Sequence, residues 1–481
     1  MNILFVASEA VPFAKTGGLA DVIGSLPKAL KELGMDIRVI IPKYGEIPKV
    51  YRDAMKTVAT CEVQLGWRKQ FCGIQQLDHL GVTYYFVDNE FYFKRNGLYG
   101  HDQDAERFAF FCRGVLESLP LLDFRPDVIH CHDWQSAMIP LLLKAHYAQL
   151  DFFQSIQTVM TIHNLKYQGI FPSAWIQELL GLSHHYFTGQ VLEIHGGASF
   201  LKGGLHFADR ITTVSPSYAE EIKTAYYGEH MDSLLRYRSR ELSGIVNGID
   251  YDLYNPMNDP YVVSPYRDSL SKKAKNKLDM QERFGLPIGE DKPMIAFVGR
   301  LVQQKGLDLI QHVLADLLAM QDVQWIILGT GEPRYEYMFS HAAWMQPHKI
   351  AAMISFDDAL AHQIYAASDL FLMPSQFEPC GIGQLIAMRY RSIPIVRETG
   401  GLRDTVQPYN QFTGEGTGFT FSHYNAHDMF DAVQRAVHTY QHDPTSWHHI
   451  QNNMKKCDFS WKKSAQQYVE LYLSLSSYDY E

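Results

Sequence analysis

The sequence predicts an α/β protein with two domains, each a doubly wound, Rossmann-like parallel sheet with helices on both faces. Short apolar runs recur along the 481-residue chain, each followed by a glycine-containing or polar turn and then by a helical pattern. This alternation is typical of parallel α/β sheets. The series is interrupted at the turn-rich segment 243–260 and then begins again, so two similar domains are expected.

The first half of the chain opens with a predicted βαβ unit. An apolar run at 2–7 reads as a strand, residues 20–33 have helical spacing that ends at Gly34, and 37–41 is a second strand closed by Pro42. Strands joined through a helix in this way are expected to be parallel. Further strands are predicted at 127–131, 158–162 and 211–214.

The second half repeats the pattern and ends in a helix. Strands are predicted at 294–298, 325–328, 370–373 and 393–396, with helical patterns between them. Residues 461–475 have the spacing of an amphipathic helix that follows the completed second sheet.

Composition excludes several classes of partner. The net charge of −10 repels nucleic acid and anionic membranes, and no run approaches the roughly 20 apolar residues of a membrane helix. The composition remains compatible with two kinds of partner, a neutral polysaccharide or a small anion held by local cations. The six cysteines form no CxxC pair, as expected of reduced thiols. Because a strand-like run starts at Asn2, we expect no signal peptide and a cytoplasmic protein.

A glycine motif precedes the first predicted helix. Paired glycines in Lys15-Thr16-Gly17-Gly18 let a ligand approach backbone N–H groups that attract oxygen or phosphate. The motif is neither GxGxxG nor a P-loop, so it indicates neither a nicotinamide cofactor nor P-loop chemistry. Residues 16–21 recur at 399–404 with five of six identical, which favours two matched ligand loops. The alternative is that such turns favour glycine and an acidic residue for geometric and dipole reasons.

Two cations follow the strand 294–298. Arg300 and Lys305 bracket a loop that leads into a helix, where they can hold a diphosphate and stabilise it as a leaving group. The alternative is a pair of solvated surface charges. Position favours function, because ligands bind at the carboxyl ends of strands in such sheets.

An acidic loop follows the strand 370–373. Glu378 is placed to accept hydrogen bonds from sugar hydroxyls, and Gly381 and Ile382 to offer backbone N–H groups. The alternative is a carboxylate that caps a helix. Cys380 is interpreted as a small buried residue, since no cation or histidine adjoins it in sequence.

Histidine and aspartate end two strands of the first half. His132-Asp133-Trp134 follows 127–131, and His163-Asn164 follows 158–162, which places both groups at the binding edge. A metal is not expected, because His132 and Asp133 have no third ligand at useful spacing. The absence of a GxSxG elbow makes a hydrolase an unfavoured interpretation.

Taken together and in this order, the motifs resemble those of bacterial glycogen synthases and plant starch synthases, along nearly the whole chain. The resemblance rests on the segments Ser8-Glu9-Ala10, 15–22, His132-Asp133-Trp134, Ile162-His163-Asn164-Leu165, Asn247-Gly248-Ile249-Asp250, Gly299-Arg300-Leu301, Gln304-Lys305-Gly306, 378–381 and 399–402.

The resemblance implies a GT-B glycosyltransferase, in which two Rossmann-like domains face a cleft. It implies retaining transfer of glucose from ADP-glucose to the 4-hydroxyl at the non-reducing end of an α-1,4-glucan, without cofactor or metal. It also implies domains at 1–247 and 248–457, with a helix at 458–481 that returns to the first domain.

Site residues follow from the resemblance position by position. His163, Arg300, Lys305 and Glu378 are implied as catalytic. Glu9 and Tyr99 are implied for the acceptor. The substrate-binding set implied by the match is Lys15, Gly17, Gly18, Asp21, Asp133, Asn247, Cys380, Gly381, Ile382, Thr399, Gly400 and Gly401.

One position departs from the wider retaining GT-B pattern. A second glutamate often follows the first after seven intervening residues and binds the ribose, whereas this chain has Ile386 there. The preference for ADP over UDP therefore rests on the family match. The alternatives are another retaining GT-B transferase, a pyridoxal-phosphate-dependent glucan phosphorylase, and a non-catalytic glucan-binding protein. Oligomeric state is left open.

Overall fold

The computed structural model describes residues 1–476 and divides the chain into two compact units. The first unit contains Met1–Gly248 and the segment that begins at Trp461, and the second is Ile249–Ser460. Each has its own buried apolar core. Within residues 1–476, no helix combines the length and the apolar character that a membrane crossing requires.

The first unit is built on a nine-stranded sheet in the order β12-β11-β7-β6-β1-β2-β5-β4-β3. The strands from β12 to β5 are parallel, and β4 and β3 extend the sheet antiparallel. A small sheet, β8-β10-β9, lies apart from it. In chain order the strands are β1 (Asn2–Val6), β2 (Asp36–Pro42), β3 (Lys56–Leu65), β4 (Arg68–His79), β5 (Val82–Asp88), β6 (Val128–His132), β7 (Gln157–Ile162), β8 (Ile170–Phe171), β9 (Glu193–Ile194), β10 (Gly197–Ser199), β11 (Arg210–Thr213) and β12 (Leu242–Gly244).

Helices cover this sheet. The first of them buries Leu19, Val22, Ile23, Leu26 and Leu30, the spacing of a single apolar face. The helices are α1 (Gly18–Glu32), α2 (Lys49–Ala54), α3 (Glu90–Phe93), α4 (Asp104–Ser118), α5 (Met138–Leu142), α6 (Ser173–Leu180), α7 (Phe200–Phe207), α8 (Pro216–Glu221) and α9 (Asp232–Tyr237).

The second unit has a six-stranded parallel sheet in the order β15-β14-β13-β16-β17-β18. Its strands are β13 (Met294–Val298), β14 (Gln324–Leu328), β15 (Ile350–Met353), β16 (Leu370–Met373), β17 (Ile393–Arg397) and β18 (Phe419–Phe421). Its helices are α10 (Leu270–Phe284), α11 (Leu307–Ala319), α12 (Pro333–Met345), α13 (Asp358–Ala367), α14 (Gly383–Arg389), α15 (Gly400–Thr405), α16 (Ala426–His442) and α17 (Pro444–Lys455).

A last helix, α18 (Trp461–Ser476), belongs to the first unit, where it packs on α1. Its buried side chains, Trp461, Ala465, Tyr468, Val469 and Tyr472, join the core of that unit. The hydroxyl of Tyr472 lies 2.7 Å from His130 Nδ1.

The predicted pair of doubly wound α/β domains is confirmed, and several strands differ from the prediction. The segment 243–260 was expected to be turns, but Leu242–Gly244 is strand β12, which pairs in parallel with β11. Strands β3–β5, β8–β10, β15 and β18 were not predicted. Much of β3 is exposed, so it lacks the continuous apolar run by which buried parallel strands are recognised.

Each sheet changes winding direction at one point, and this positions the predicted site residues. In the first sheet the point lies between β1 and β6, and in the second between β13 and β16. Ligands of doubly wound sheets bind beyond the carboxyl ends of the strands at such points.

Candidate functional site

In the first unit, Glu9 follows β1 and fastens the glycine loop. Its side chain is buried, and Oε2 accepts hydrogen bonds from the backbone N–H of Thr16 at 2.9 Å and from its hydroxyl at 2.8 Å. Burial raises the pKa of Glu9, and the bonds from Thr16 oppose that rise. Glu9 therefore holds the loop that opens α1.

Gly17 in that loop leaves an open surface. It caps α1 with an extended backbone (φ −158°), and no heavy atom beyond Gly17 and its two chain neighbours lies within 4 Å of where a Cβ would stand. Neither conformation nor packing within the described residues requires glycine here. Nearby, Lys15 Nζ lies 2.9 Å from Asp21 Oδ1, and Lys15 and Gly18 are exposed. The loop is thus open to a ligand.

Tyr99 lies beside the same edge, where its hydroxyl is 2.6 Å from Ser8 Oγ. Its loop is held by a buried pair that sequence reasoning missed. Arg107 donates to the carbonyl of Leu98 at 3.0 Å and to Asp104 Oδ1 at 2.6 Å, and Asp104 Oδ2 accepts from Gly100 N at 2.9 Å. The available signal was the charged Arg107 directly before the apolar run 108–112.

Asp133 and His163 meet at the ends of β6 and β7. Asp133 has a positive φ of 58°, and its Oδ1 accepts the backbone N–H of His163 at 2.8 Å. Burial raises the pKa of Asp133 to about 7, although hydrogen bonds from His163 and Asn164 oppose the rise. Burial also lowers the pKa of His163 to about 3, so its imidazole is neutral near pH 7.

Asn247 follows β12 at the same edge of the sheet. It is 5% exposed, and its Oδ1 is buried without a hydrogen-bond partner among residues 1–476. Buried polar atoms are almost always paired, so this one is a candidate for pairing with a ligand.

In the second unit, Lys305 and Glu378 form an ion pair at the switch point. Lys305 Nζ lies 2.7 Å from Glu378 Oε2 and 3.0 Å from Oε1, and Ser375 Oγ donates to Oε2 at 2.9 Å. The side chains are 18% and 8% exposed. The sequence analysis assigned Lys305 to a diphosphate and Glu378 to sugar hydroxyls, and in the structure the two side chains contact each other.

Close backbone packing brings the two loops of this pair together. Gly306 has a φ of +79°, and a Cβ there would lie 2.0 Å from the carbonyl oxygen of Pro374. Gln376 N also donates to Gln304 O at 2.8 Å. Arg300, at the carboxyl end of β13, is exposed.

The second glycine loop is packed rather than open. A Cβ on Gly400 (φ +47°) would lie 1.9 Å from Glu378 O, and one on Gly401 would lie 2.1 Å from Cys380 O. The N–H of Gly401 donates to the carbonyls of Glu378 and Pro379 at 3.1 Å. These glycines support the loop that carries Glu378, whereas Gly17 leaves space.

The remaining predicted residues of this unit surround that loop. Cys380 and Thr399 are buried, Gly381 has a φ of +76°, and Ile382 caps α14. Ile386 is 5% exposed within α14, so its side chain belongs to the core.

An exposed ring was missed by sequence reasoning. Phe356 follows β15, and its side chain is 77% exposed at the carboxyl edge of the sheet. A ring in the loop after a parallel strand was the available signal. Across residues 1–476, no three His, Cys, Asp or Glu side chains are grouped to hold a metal ion.

The comparisons with known proteins agree across the chain. Residues 2–237 match the family described as starch synthase catalytic domain, and residues 279–456 match glycosyl transferases group 1. The chain is 55% identical over 473 residues to the glycogen synthase of Anoxybacillus flavithermus, covering 98% of this chain and 97% of that one. It is 54% identical over 476 residues to the glycogen synthase of Desulforamulus reducens, covering 99% of each.

A solved structure is similar over the same extent. The catalytic domain of starch synthase IV from Arabidopsis thaliana, bound to ADP and acarbose, aligns over 99% of each chain with a TM-score of 0.91 and 34% identity.

Proposed function

Because the chain belongs to the glycogen and starch synthase family of GT-B glycosyltransferases, we propose that it elongates an α-1,4-glucan. The donor is ADP-glucose, and the glucosyl group passes to the non-reducing end of glycogen or a maltooligosaccharide. The observation that supports this most directly is the partly buried Lys305–Glu378 pair at the switch point of the second sheet. It places a cation for a diphosphate next to a carboxylate for sugar hydroxyls.

The charges indicate how the bond breaks. Departure of ADP leaves negative charge on the diphosphate and positive charge on the anomeric carbon. Arg300 and Lys305 stabilise the diphosphate, as preorganised cations do for leaving groups. No carboxylate pair at a readable sequence spacing offers a glycosidase-type double displacement. We therefore assign same-face attack with retention, in which the departing phosphate takes the acceptor proton.

Residues of the first unit supply further sugar contacts in this proposal. The roles of His163, Asp133 and Asn247 are contacts to the transferred glucose, and Glu9 and Tyr99 serve the acceptor side. The backbone N–H groups of the open Gly17 loop donate hydrogen bonds to oxygens of ADP-glucose. In the second unit, Phe356 is the candidate platform for the nucleobase, because exposed rings stack on bases at about 1–3 kcal/mol each.

The cytoplasm is the proposed location. All six cysteines fall within the described residues, and none forms a disulfide, as is usual in a reducing compartment.

The direct test offers glycogen or maltooligosaccharides with ADP-glucose or UDP-glucose and follows nucleotide release and chain length. Elongation that depends on ADP-glucose is expected. A preference for UDP-glucose would contradict the nucleoside assignment. Binding of glucan without turnover of either donor would favour the non-catalytic alternative.

The diphosphate assignment has its own test. Lys305→Ala and Arg300→Ala are each expected to lower kcat by about 10²–10³. The matched control is Lys292→Ala. Lys292 precedes β13, at the amino-terminal edge of the sheet and away from the proposed site, and it makes a 3.0 Å ion pair with Asp322. Near-normal activity of both site variants would refute the assignment.

A further inference from the structure

Behind His163 lies a second histidine that is fully enclosed. His132, the last residue of β6, has no exposed surface and packs between Phe5 and His130, with ring centroids 4.9 Å and 4.2 Å away. Its Nδ1 lies 2.9 Å from His163 Nε2. The two imidazoles are therefore joined by one hydrogen bond, whose proton belongs to one ring or the other.

The surroundings of the other two ring nitrogens decide between these tautomers. His132 Nε2 is buried with no hydrogen-bond partner among residues 1–476. If His163 donated the shared hydrogen bond, neutral His132 would carry its proton on that enclosed Nε2 as an orphaned N–H. Buried N–H groups without partners are rarer than under-satisfied acceptors, so the proton belongs on His132 Nδ1.

This tautomer of His132 also determines which nitrogen of His163 carries a proton. When His132 Nδ1–H donates to His163 Nε2, neutral His163 must carry its own proton on Nδ1. His163 is half-buried and, among residues 1–476, makes hydrogen bonds through its backbone N and its Nε2, whereas its Nδ1 is not among the enclosed polar atoms without partners. That nitrogen is thus left to offer a hydrogen-bond donor to a ligand.

We propose that His132 is a positioning residue that fixes His163 as its Nδ1–H tautomer, so that His163 presents a donor to a hydroxyl of the transferred sugar. The ligand part of this inference rests on the proposed function. The tautomer part does not, because it follows from the hydrogen bonds of the chain alone.

The tautomer is measured on the wild-type protein with ¹⁵N-labelled histidine. Two-bond ¹H–¹⁵N correlation spectra distinguish pyrrole-type from pyridine-type nitrogens, and loss of one set of signals in His163→Ala assigns them. A pyrrole-type Nδ1 on His163 is expected. A pyridine-type Nδ1 there would overturn the proposal, whether or not the protein transfers glucose.

Three substitutions test the effect on turnover. His132→Phe keeps a ring but removes the donor, and is expected to lower kcat about 10- to 100-fold. In His132→Asn the side-chain nitrogen can take the place of Nδ1, whereas in His132→Gln it takes the place of Nε2. Asn is therefore expected to restore most of the lost turnover, and Gln little of it.

The paired amides separate positioning from packing. Both variants replace the buried ring with an amide, so a purely structural role predicts losses that follow their melting temperatures, whichever ring nitrogen the amide replaces. Equal kcat for His132→Asn and His132→Gln, or full activity in folded His132→Phe, would overturn the proposal. An inactive wild-type enzyme would instead contradict the proposed function, and the NMR result would still decide the tautomer.

Discussion

At the scale of single residues, the ammonium of Lys305 is already engaged by a carboxylate. Both oxygens of Glu378 lie within 3.0 Å of it, so the diphosphate of the proposed function would compete with Glu378 for the same cation. In the proposed function, a sugar hydroxyl that engages Glu378 would free the ammonium for phosphate. The pair would then couple recognition of the sugar to recognition of the diphosphate.

Glu378→Gln should therefore separate binding from turnover. Without the competing carboxylate, ADP is expected to bind about 3- to 10-fold tighter, while kcat falls by about 10² or more. Calorimetry with ADP and initial rates with ADP-glucose measure the two effects. Asp322→Asn, which removes the partner of Lys292, is the control and should change neither. Weaker ADP binding in Glu378→Gln would show that the carboxylate assists the diphosphate rather than competing with it.

Asp133 makes stability depend on pH. Burial raises its pKa from 3.8 to about 7, so between those values the folded state keeps a proton that the unfolded chain has released. Ionisation of Asp133 then opposes folding, and its contribution to stability falls as pH rises through this window. Asn at this position keeps the Oδ1 acceptor and tolerates positive φ.

Asp133→Asn is accordingly expected to melt a few degrees above wild type at pH 8, with the difference shrinking toward pH 4. Its turnover is expected to fall. Thermal melts across this range test the prediction, with Asp53→Asn as control because the Asp53 side chain is 60% exposed. A difference that grows as pH falls would have the opposite sign and would contradict the burial argument.

For single site residues, the sequence could predict which strand end each one follows. Residues placed at strand ends by pattern, such as Asp133 and His163, do lie at one edge of the sheet. Their contacts could not be predicted. Lys305 and Glu378 are 73 residues apart in sequence, and only the crossover that places β16 beside β13 brings them together.

At the scale of elements, the two glycine motifs are alike in sequence and different in use. Gly17→Ala meets open space, so the loss of stability is expected to stay within about 1 kcal/mol, while the added methyl group obstructs the donor and lowers kcat/KM. Gly401→Ala forces a methyl group into the backbone of Cys380, and is expected to cost about 1–3 kcal/mol of folding free energy.

Thermal melts and donor titrations of both variants test this contrast. The expected pattern is crossed: Gly17→Ala loses kcat/KM with little change in melting temperature, and Gly401→Ala loses melting temperature. Full kcat/KM in Gly17→Ala would mean that the open space is not used by the donor.

The strands differed in how well their hydrophobic pattern predicted them. Strands such as β13 and β16 are buried on both faces and read as apolar runs, and they were predicted at their observed bounds. Strand β3, at the edge of the sheet, is mostly exposed, its neighbour β4 is mostly half-buried, and β8 and β9 are two residues long. Their hydrogen-bond partners, rather than their own hydrophobicity, define them as strands.

At the scale of the whole molecule, the two units differ in how the chain builds them. The second is one continuous segment, Ile249–Ser460, with its own core. The first is completed from both ends of the chain, because α18 contributes Trp461, Tyr468 and Tyr472 to its core. Tyr472 also holds His130, which stacks on His132. The core of the first unit is therefore complete only when the last helix is in place.

Separate expression of the fragments tests this asymmetry. Residues 249–460 alone are expected to melt cooperatively, because their core is complete. Residues 1–248 alone lack α18 and leave the surface of α1 that receives it open, so they are expected to melt non-cooperatively or to aggregate. Co-expression with residues 461–481 should restore a cooperative transition. The contradicting result is that residues 1–248 melt as sharply, and at the same temperature, with and without that segment. In that case α18 would be a surface attachment rather than a part of the core, and its contact with His130 would not contribute to the stability of the first unit.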